Sequence, residues 1–288
     1  MNKLIKAKIV IIGLLVSHFA LAQEPDTLVM RDINWDKNFP AGLTELTIPS
    51  EKALLQGIIY RANGGGKHPT LLLLHGFPGN ERNLDLAQVV RAHGWNVIYF
   101  NYRGAWGSQG KFSFTNCVDD VVNAVAFCKK YSDSLHIDAS NIALFGHSMG
   151  GWVCLKALER LPEIKKGFAL SIWDINQDME KYKTDADLDD AIKNKMIPQY
   201  FVLNTTAKNL FSPVIHHRDQ YDLKKGIGDL ARKEIIMLDE HNLNKQLAGI
   251  LQHANLSYFD YEVWHTDHSF TNKRVALMKM LVGFLERK

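Results

Sequence analysis

A serine stands between two glycines in Asn141-Ile-Ala-Leu-Phe-Gly146-His-Ser148-Met-Gly150-Gly151-Trp152, where an apolar run passes directly into a helical stripe. Turning a strand into a helix within two residues forces the residue at the tip into a strained backbone conformation. It also brings strand and helix so close that a side chain at 146 or 150 would clash, which accounts for the glycines. The Ser148 hydroxyl is then held clear of the sheet at the positive end of the following helix. A serine so presented suits nucleophilic acyl transfer, which needs three further parts: a base, an acid to orient the base, and N–H donors for the developing oxyanion.

Twelve histidines are available as the base. His268, in Trp264-His-Thr-Asp267-His268-Ser-Phe270, lies between the last apolar run and the terminal helical stripe, which places it at the same sheet edge as Ser148. His265 falls within the strand end and reads as packing or solvent-facing. His147 neighbours the serine but points away at the elbow, a packing role, and His75 braces a turn. The acid is sought after Glu234-Ile-Ile-Met-Leu238, where Asp239-Glu240-His241-Asn242 follows. Asp239, read as the first residue past that strand, is the first choice. Glu240, and Asp174 at the end of the preceding strand, remain open.

The elements that must position these groups alternate along the chain. Strands are expected at Leu43 to Ile48, Leu54 to Tyr60, Thr70 to Leu74, Asn96 to Phe100, Asn141 to Phe145, Phe168 to Trp173, Glu234 to Leu238 and Tyr258 to Trp264. Helices are expected around Asn83 to His93, Asp119 to Tyr131, Trp152 to Arg160 and Asn272 to Glu286. Continuous apolar runs such as Thr70 to Leu74 suit strands covered on both faces, so the class is α/β with a mostly parallel sheet flanked by helices. About sixty residues, 174–233, separate two successive strands where a short connection is usual. They read as a helical cap inserted over the carboxyl edge of the sheet, dividing the core into 23–173 and 234–288. Its aromatics Tyr200, Phe201 and Phe211 could line an acyl pocket or pack within the cap.

Four segments in order, His75-Gly-Phe-Pro-Gly79, Asn101-Tyr-Arg-Gly104 with Gly107-Ser-x-Gly110, Gly146-His-Ser-Met-Gly150 and Asp267-His-Ser-Phe270, resemble the α/β-hydrolase-fold serine hydrolases. The pattern is closest to the dienelactone hydrolase and prolyl-oligopeptidase-like branches and spans the chain from about Leu43 onward. The resemblance implies Ser148, an acid and His268 in that chain order. It further implies that the backbone N–H groups of Phe77 and Met149 hold the oxyanion. The expected activity is cleavage of an ester, thioester or amide, by a carboxylesterase or a peptidase-like enzyme, with no cofactor and no metal. The glycine-bearing turn usual before the acid is missing here, and lining up the strand without gaps puts Asn242 where the aspartate normally stands. Two other classes stay open: a non-catalytic binding protein of the same fold, and a cofactor-free perhydrolase or acyltransferase.

Composition bounds the partners. Lys3, Lys6 and Lys8 precede the apolar run Ile9 to Ala20, and Ala20-Leu21-Ala22 supplies small residues before Gln23, so 1–22 reads as a cleavable export signal leading to periplasm or secretion. The chain's net charge of +3 resides in those three lysines, leaving 31 basic against 31 acidic residues. A neutral mature chain gives no reason to expect nucleic acid or a membrane surface as partner, only a small-molecule or peptide acyl substrate. Cys117, Cys128 and Cys154 read as structural thiols. Ser108-x-x-Lys111 matches a second serine-nucleophile motif but lies in a glycine-rich loop. The sets His265, Asp267, His268 and His216, His217, Asp219 lack the spacing of a metal site.

Overall fold

The computed structural model describes residues 35–197 and 200–287; the expected export signal lies outside them. The strands are β1 (Gly42–Ser50), β2 (Ala53–Arg61), β3 (His68–Leu74), β4 (Asn96–Phe100), β5 (Ile137–His147), β6 (Lys166–Leu170), β7 (Glu234–Asp239) and β8 (Tyr258–Val263). They form one sheet in the order β1-β2-β4-β3-β5-β6-β7-β8. β1 pairs antiparallel with β2 and β2 with β4, while every later pairing is parallel. Parallel strands need crossovers, and these are helical: α1 (Leu84–Ala92), α2 (Phe114–Lys130), α3 (Met149–Arg160), and after β7 α8 (Lys245–Gln252), with α9 (Arg274–Leu285) closing the chain. Helices on both faces leave Leu71 to Leu74 at most 2% exposed, which is why these strands read as unbroken apolar runs.

Among its described residues, the 174–233 connection between β6 and β7 carries the α-helices α4 (Ile175–Asp178), α5 (Asp185–Lys193), α6 (Ala207–His216) and α7 (Arg218–Tyr221). Aromatic packing ties it to the sheet layer. Trp152 of α3 stacks on Tyr221 at 5.9 Å and donates its indole N–H to the Tyr221 carbonyl at 3.0 Å, and Phe114 of α2 meets Phe211 at 5.7 Å. Among the described residues no helix is long and apolar enough to cross a membrane.

Two boundaries depart from the sequence expectation in ways that matter for the site. β6 stops at Leu170 instead of running to Trp173, because Ser171 turns to φ +48°. β7 runs one residue further than Leu238, since the Asp239 carbonyl still accepts from Trp264 N at 2.8 Å. A third boundary, the start of α2 at Phe114 instead of Asp119, follows from a Ser113 cap whose hydroxyl accepts from Asn116 N. Cys117, Cys128 and Cys154 are free and buried, and burial pushes the Cys128 thiol up to about 12.

Candidate active site

Ser148 sits between β5 and α3 at φ 59°, ψ −119°, a conformation costing about 1–3 kcal/mol for a residue with a side chain. The turn is held by Ser148 N donating to Leu170 O at 2.8 Å and by Gly151 N and Trp173 N donating to Ser148 O. It leaves no room beside it. A Cβ on Gly146 would stand 1.9 Å from Gly150 O, and one on Gly150 would stand 2.1 Å from Leu74 O. Backbone contacts of that length cannot relax, so glycine is required at both places.

The turn after β3 lies against the serine: a Cβ on Gly76 would be 3.0 Å from Ser148 Cβ and 3.7 Å from its Oγ. Phe77 follows this turn, its ring meeting Tyr200 at 4.4 Å and Trp173 at 5.6 Å. Met149 opens α3, in the first turn, where N–H groups have no acceptor within the helix. Phe77 and Met149, the two residues expected to donate to an oxyanion, are thus next in sequence to Gly76, which packs on Ser148, and to Ser148 itself. His75 is neutral because burial lowers it to about 4, and its Nδ1 donates to Gly76 O at 2.7 Å, bracing the same turn.

Ser148 and His268 line one cavity of about 460 Å³, together with Ser171, Trp173, Asp174 and Leu243. The His268 Nδ1 lies 2.7 Å from Glu240 Oε1. Ser171 Oγ donates to the other Glu240 oxygen and stands 3.0 Å from the same Nδ1. Burial pushes the Glu240 carboxyl up, but the hydrogen bonds from His268 and Ser171 overcome it and bring it down to about 2. An ionised carboxylate on Nδ1 keeps the ring proton there and leaves the Nε2 lone pair for a substrate-side proton.

Asp239, the carboxylate expected at this place, does not contact His268; Glu240 does. Asp239 is fully buried, accepting from Asn244 Nδ2 at 3.1 Å and from the Tyr261 hydroxyl at 3.1 Å. Burial drives it up to about 6 against those two hydrogen bonds. The cause is the extra residue of β7: Asp239 is the last strand residue, and Glu240 is the first to clear the sheet. Asp174 caps α4 by accepting from Gln177 N at 3.0 Å, and Asn242 is an exposed loop residue, so neither reaches His268.

A sequence model of the α/β-hydrolase fold matches residues 69–197. Among solved structures, Est1E from Butyrivibrio proteoclasticus superposes with a TM-score of 0.64 at 14% identity, covering 84% of this chain and 97% of that one. The esterase Pf2001 of Pyrococcus furiosus gives 0.61 at 20% identity, covering 89% and 98%. This chain has the α/β-hydrolase fold. Its curated relatives match over shorter stretches. An uncharacterized protein of Rickettsia prowazekii is 36% identical over 109 residues, 36% of this chain and 44% of that protein. The lysophosphatidylserine lipase ABHD12 of Gallus gallus is 29% identical over 102 residues, 34% and 26% of the two. The chain therefore spans less than half the length of these relatives.

Within the α/β-hydrolase fold, several groups around His268 carry no local sequence signal. His147 was expected only to pack, yet its Nε2 meets His268 O at 2.9 Å, and the two rings lie 4.8 Å apart. A carbonyl can only accept, so His147 Nε2 carries the proton, and Nδ1 is left to accept from Asn83 Nδ2 at 3.4 Å. Burial lowers His147 to about 4, with His268 adding to the effect, so this neutral form persists near neutral pH. Arg274 continues the strut: it donates to Asn83 Oδ1 and to Ser269 O, both at 3.1 Å, and pairs with Asp85 through two nitrogens. The residue before the nucleophile thereby holds the backbone of the histidine opposite.

Other sequence motifs are absorbed by the fold. Arg103 of Asn101-Tyr-Arg-Gly104 is tied through its N–H and guanidinium to buried Asp120. The Ser108 hydroxyl donates to Asn101 O at 2.7 Å and accepts from Gln56 N, which leaves it no nucleophilic role. Among the described residues no three His, Cys, Asp or Glu side chains are grouped to hold a metal ion.

Proposed function

We propose that this protein is a serine hydrolase that cleaves carboxylic esters through Ser148, His268 and Glu240. The observation that carries the reading is the juxtaposition of a strained serine elbow with a histidine whose Nδ1 is bound by an ionised carboxylate, both opening on one cavity. His268 Nε2 takes the Ser148 proton as Oγ attacks the acyl carbon. The N–H groups of Phe77 and Met149 stabilise the oxyanion. The proton returns to the leaving alkoxide, and water activated by His268 then frees the acid. Glu240 keeps the tautomer and stabilises the imidazolium without itself accepting the proton.

An ester over an amide is supported by the printed activities of its likenesses, esterases among the structures and a lysophospholipid lipase among the relatives. Thioesters share the same acyl chemistry. Export through a cleaved 1–22 leader, and action on a small acyl substrate outside the cytoplasm without nucleic acid or membrane partner, complete the proposal. An active-site fluorophosphonate tests it. The wild-type chain should be labelled at Ser148 and the Ser148→Ala variant should not. Equal labelling of both would remove Ser148 from the mechanism.

A further inference from the structure

Ser171 follows β6 in a backbone conformation, φ +48°, that L-residues with side chains rarely adopt, and it is only 1% exposed. Its backbone N–H donates to Leu238 O at 2.7 Å, continuing the β6–β7 ladder by one step. That bond fixes the Cα beside the start of the Glu240 loop and aims the hydroxyl at the His268–Glu240 pair. Glycine would satisfy the backbone at this point with less strain, so the side chain is what the position adds.

The hydroxyl has one hydrogen and two neighbours. Glu240, ionised, can only accept, so the Ser171 hydrogen goes to Glu240 Oε2. The lone pairs of Oγ then face His268 Nδ1 at 3.0 Å, and that contact is a hydrogen bond only when Nδ1 carries the proton. The Nδ1–H is therefore shared between Glu240 Oε1 at 2.7 Å and Ser171 Oγ. With the proton on Nε2 instead, Nδ1 would present a lone pair to both the carboxylate and the hydroxyl oxygen, an arrangement with two repulsive contacts.

We infer that Ser171 is a positioning residue that works through Glu240, clamping the carboxylate rotamer and locking His268 in the tautomer with its lone pair on Nε2. In this role it acts through Glu240 and His268, the two hydrogen-bond partners of its hydroxyl. His241 Nε2, 3.7 Å from Glu240 Oε1, is too distant to replace it. The inference rests on the serine-hydrolase reading for its consequence in catalysis, but its geometric content stands apart from that reading.

The test uses the full chain carrying Ser171→Ala or Ser171→Gly, each alone and combined with Glu240→Gln. The readouts are the rate of fluorophosphonate labelling and ¹⁵N-histidine NMR of His268, assigned by its loss in His268→Gln. Loss of a hydrogen bond to a charged group predicts labelling about 10–100-fold slower in both single variants. In the Glu240→Gln background the same changes should cost less than about 3-fold, because coupled residues are not additive. The NMR spectrum of the wild type should show the proton on Nδ1, and that of Ser171→Ala a mixture of tautomers. Wild-type labelling by Ser171→Gly would assign the contribution to backbone strain and overturn the inference. So would an unchanged His268 spectrum in Ser171→Ala, or a loss of equal size with and without Glu240. A wild-type chain that fails to label would defeat the hydrolase reading, and the NMR comparison would still decide the role of Ser171.

Discussion

Asp239, the last residue of β7, is sealed in the sheet layer and accepts from Asn244 and Tyr261, whereas Glu240, one residue on, clears the strand and stands against His268 and Ser171. Both are carboxylates, and burial raises both. In Asp239 its two neutral donors offset too little and the group rises to about 6. In Glu240 hydrogen bonds from His268 and Ser171 outweigh burial and the group falls to about 2. The difference shows that donors from the His268 ring and the Ser171 hydroxyl keep one carboxylate ionised, and that a single residue of strand length decides which carboxylate meets them.

Relocation gives the largest expected effect. If reach alone mattered, a longer side chain at 239 could replace the acid at 240. The double variant Asp239→Glu/Glu240→Ala should instead stay about 10³–10⁴-fold below wild type in ester turnover, the scale seen when a triad acid is lost. Recovery to within ten-fold would show that position 239 can face His268.

The next effect is on the partner that Glu240 must meet. His147→Ala removes the donor that holds the His268 carbonyl and should lower kcat by about 10–100-fold, as expected for a misplaced catalytic group. KM should hold within about 3-fold, and His147→Gln, which keeps a donor, should recover part of the loss. A fall in KM-dependent binding alone would contradict the strut.

Stability against pH separates the two carboxylates by sign. Asp239 has a raised folded pKa, so the folded chain holds more protons between about 4 and 6, and stability falls as pH rises through that window. The contribution is about 1–3 kcal/mol, and urea midpoints of Asp239→Asn should lack this slope. Glu240 has a depressed folded pKa, so its contribution is complete above about 4.5 and fades as pH falls toward about 2. Glu240→Gln should flatten the acid side of the curve, the smallest of these effects because the His268 partner is half exposed. Slopes of the same sign in both variants would refute the contrast.

Much of the site was legible because it is encoded locally. Gly146 and Gly150 are dictated by backbone contacts within the elbow itself, and His268 follows from its place between a strand and a helix. The parallel sheet was legible from apolar runs buried on both faces. The acid was not, because the end of β7 depends on a hydrogen bond from Trp264, 25 positions away, and no property of Asp239-Glu240 reveals it. Ser171 was hidden inside an expected strand that stops one residue before it. The role of His147 depends on a contact 121 residues distant, and Arg274 lies further along the same strut.

Whether Glu240 or its buried neighbour orients His268 is decided by a side-by-side comparison of Asp239→Asn and Glu240→Gln. Both variants would be assayed for kcat/KM on one short-chain aromatic ester at pH 7.5. Asp239→Asn should stay within about 5-fold of wild type and Glu240→Gln should fall by at least about 10³-fold. The reverse order, or equal losses in the two, would contradict the assignment of that role to Glu240.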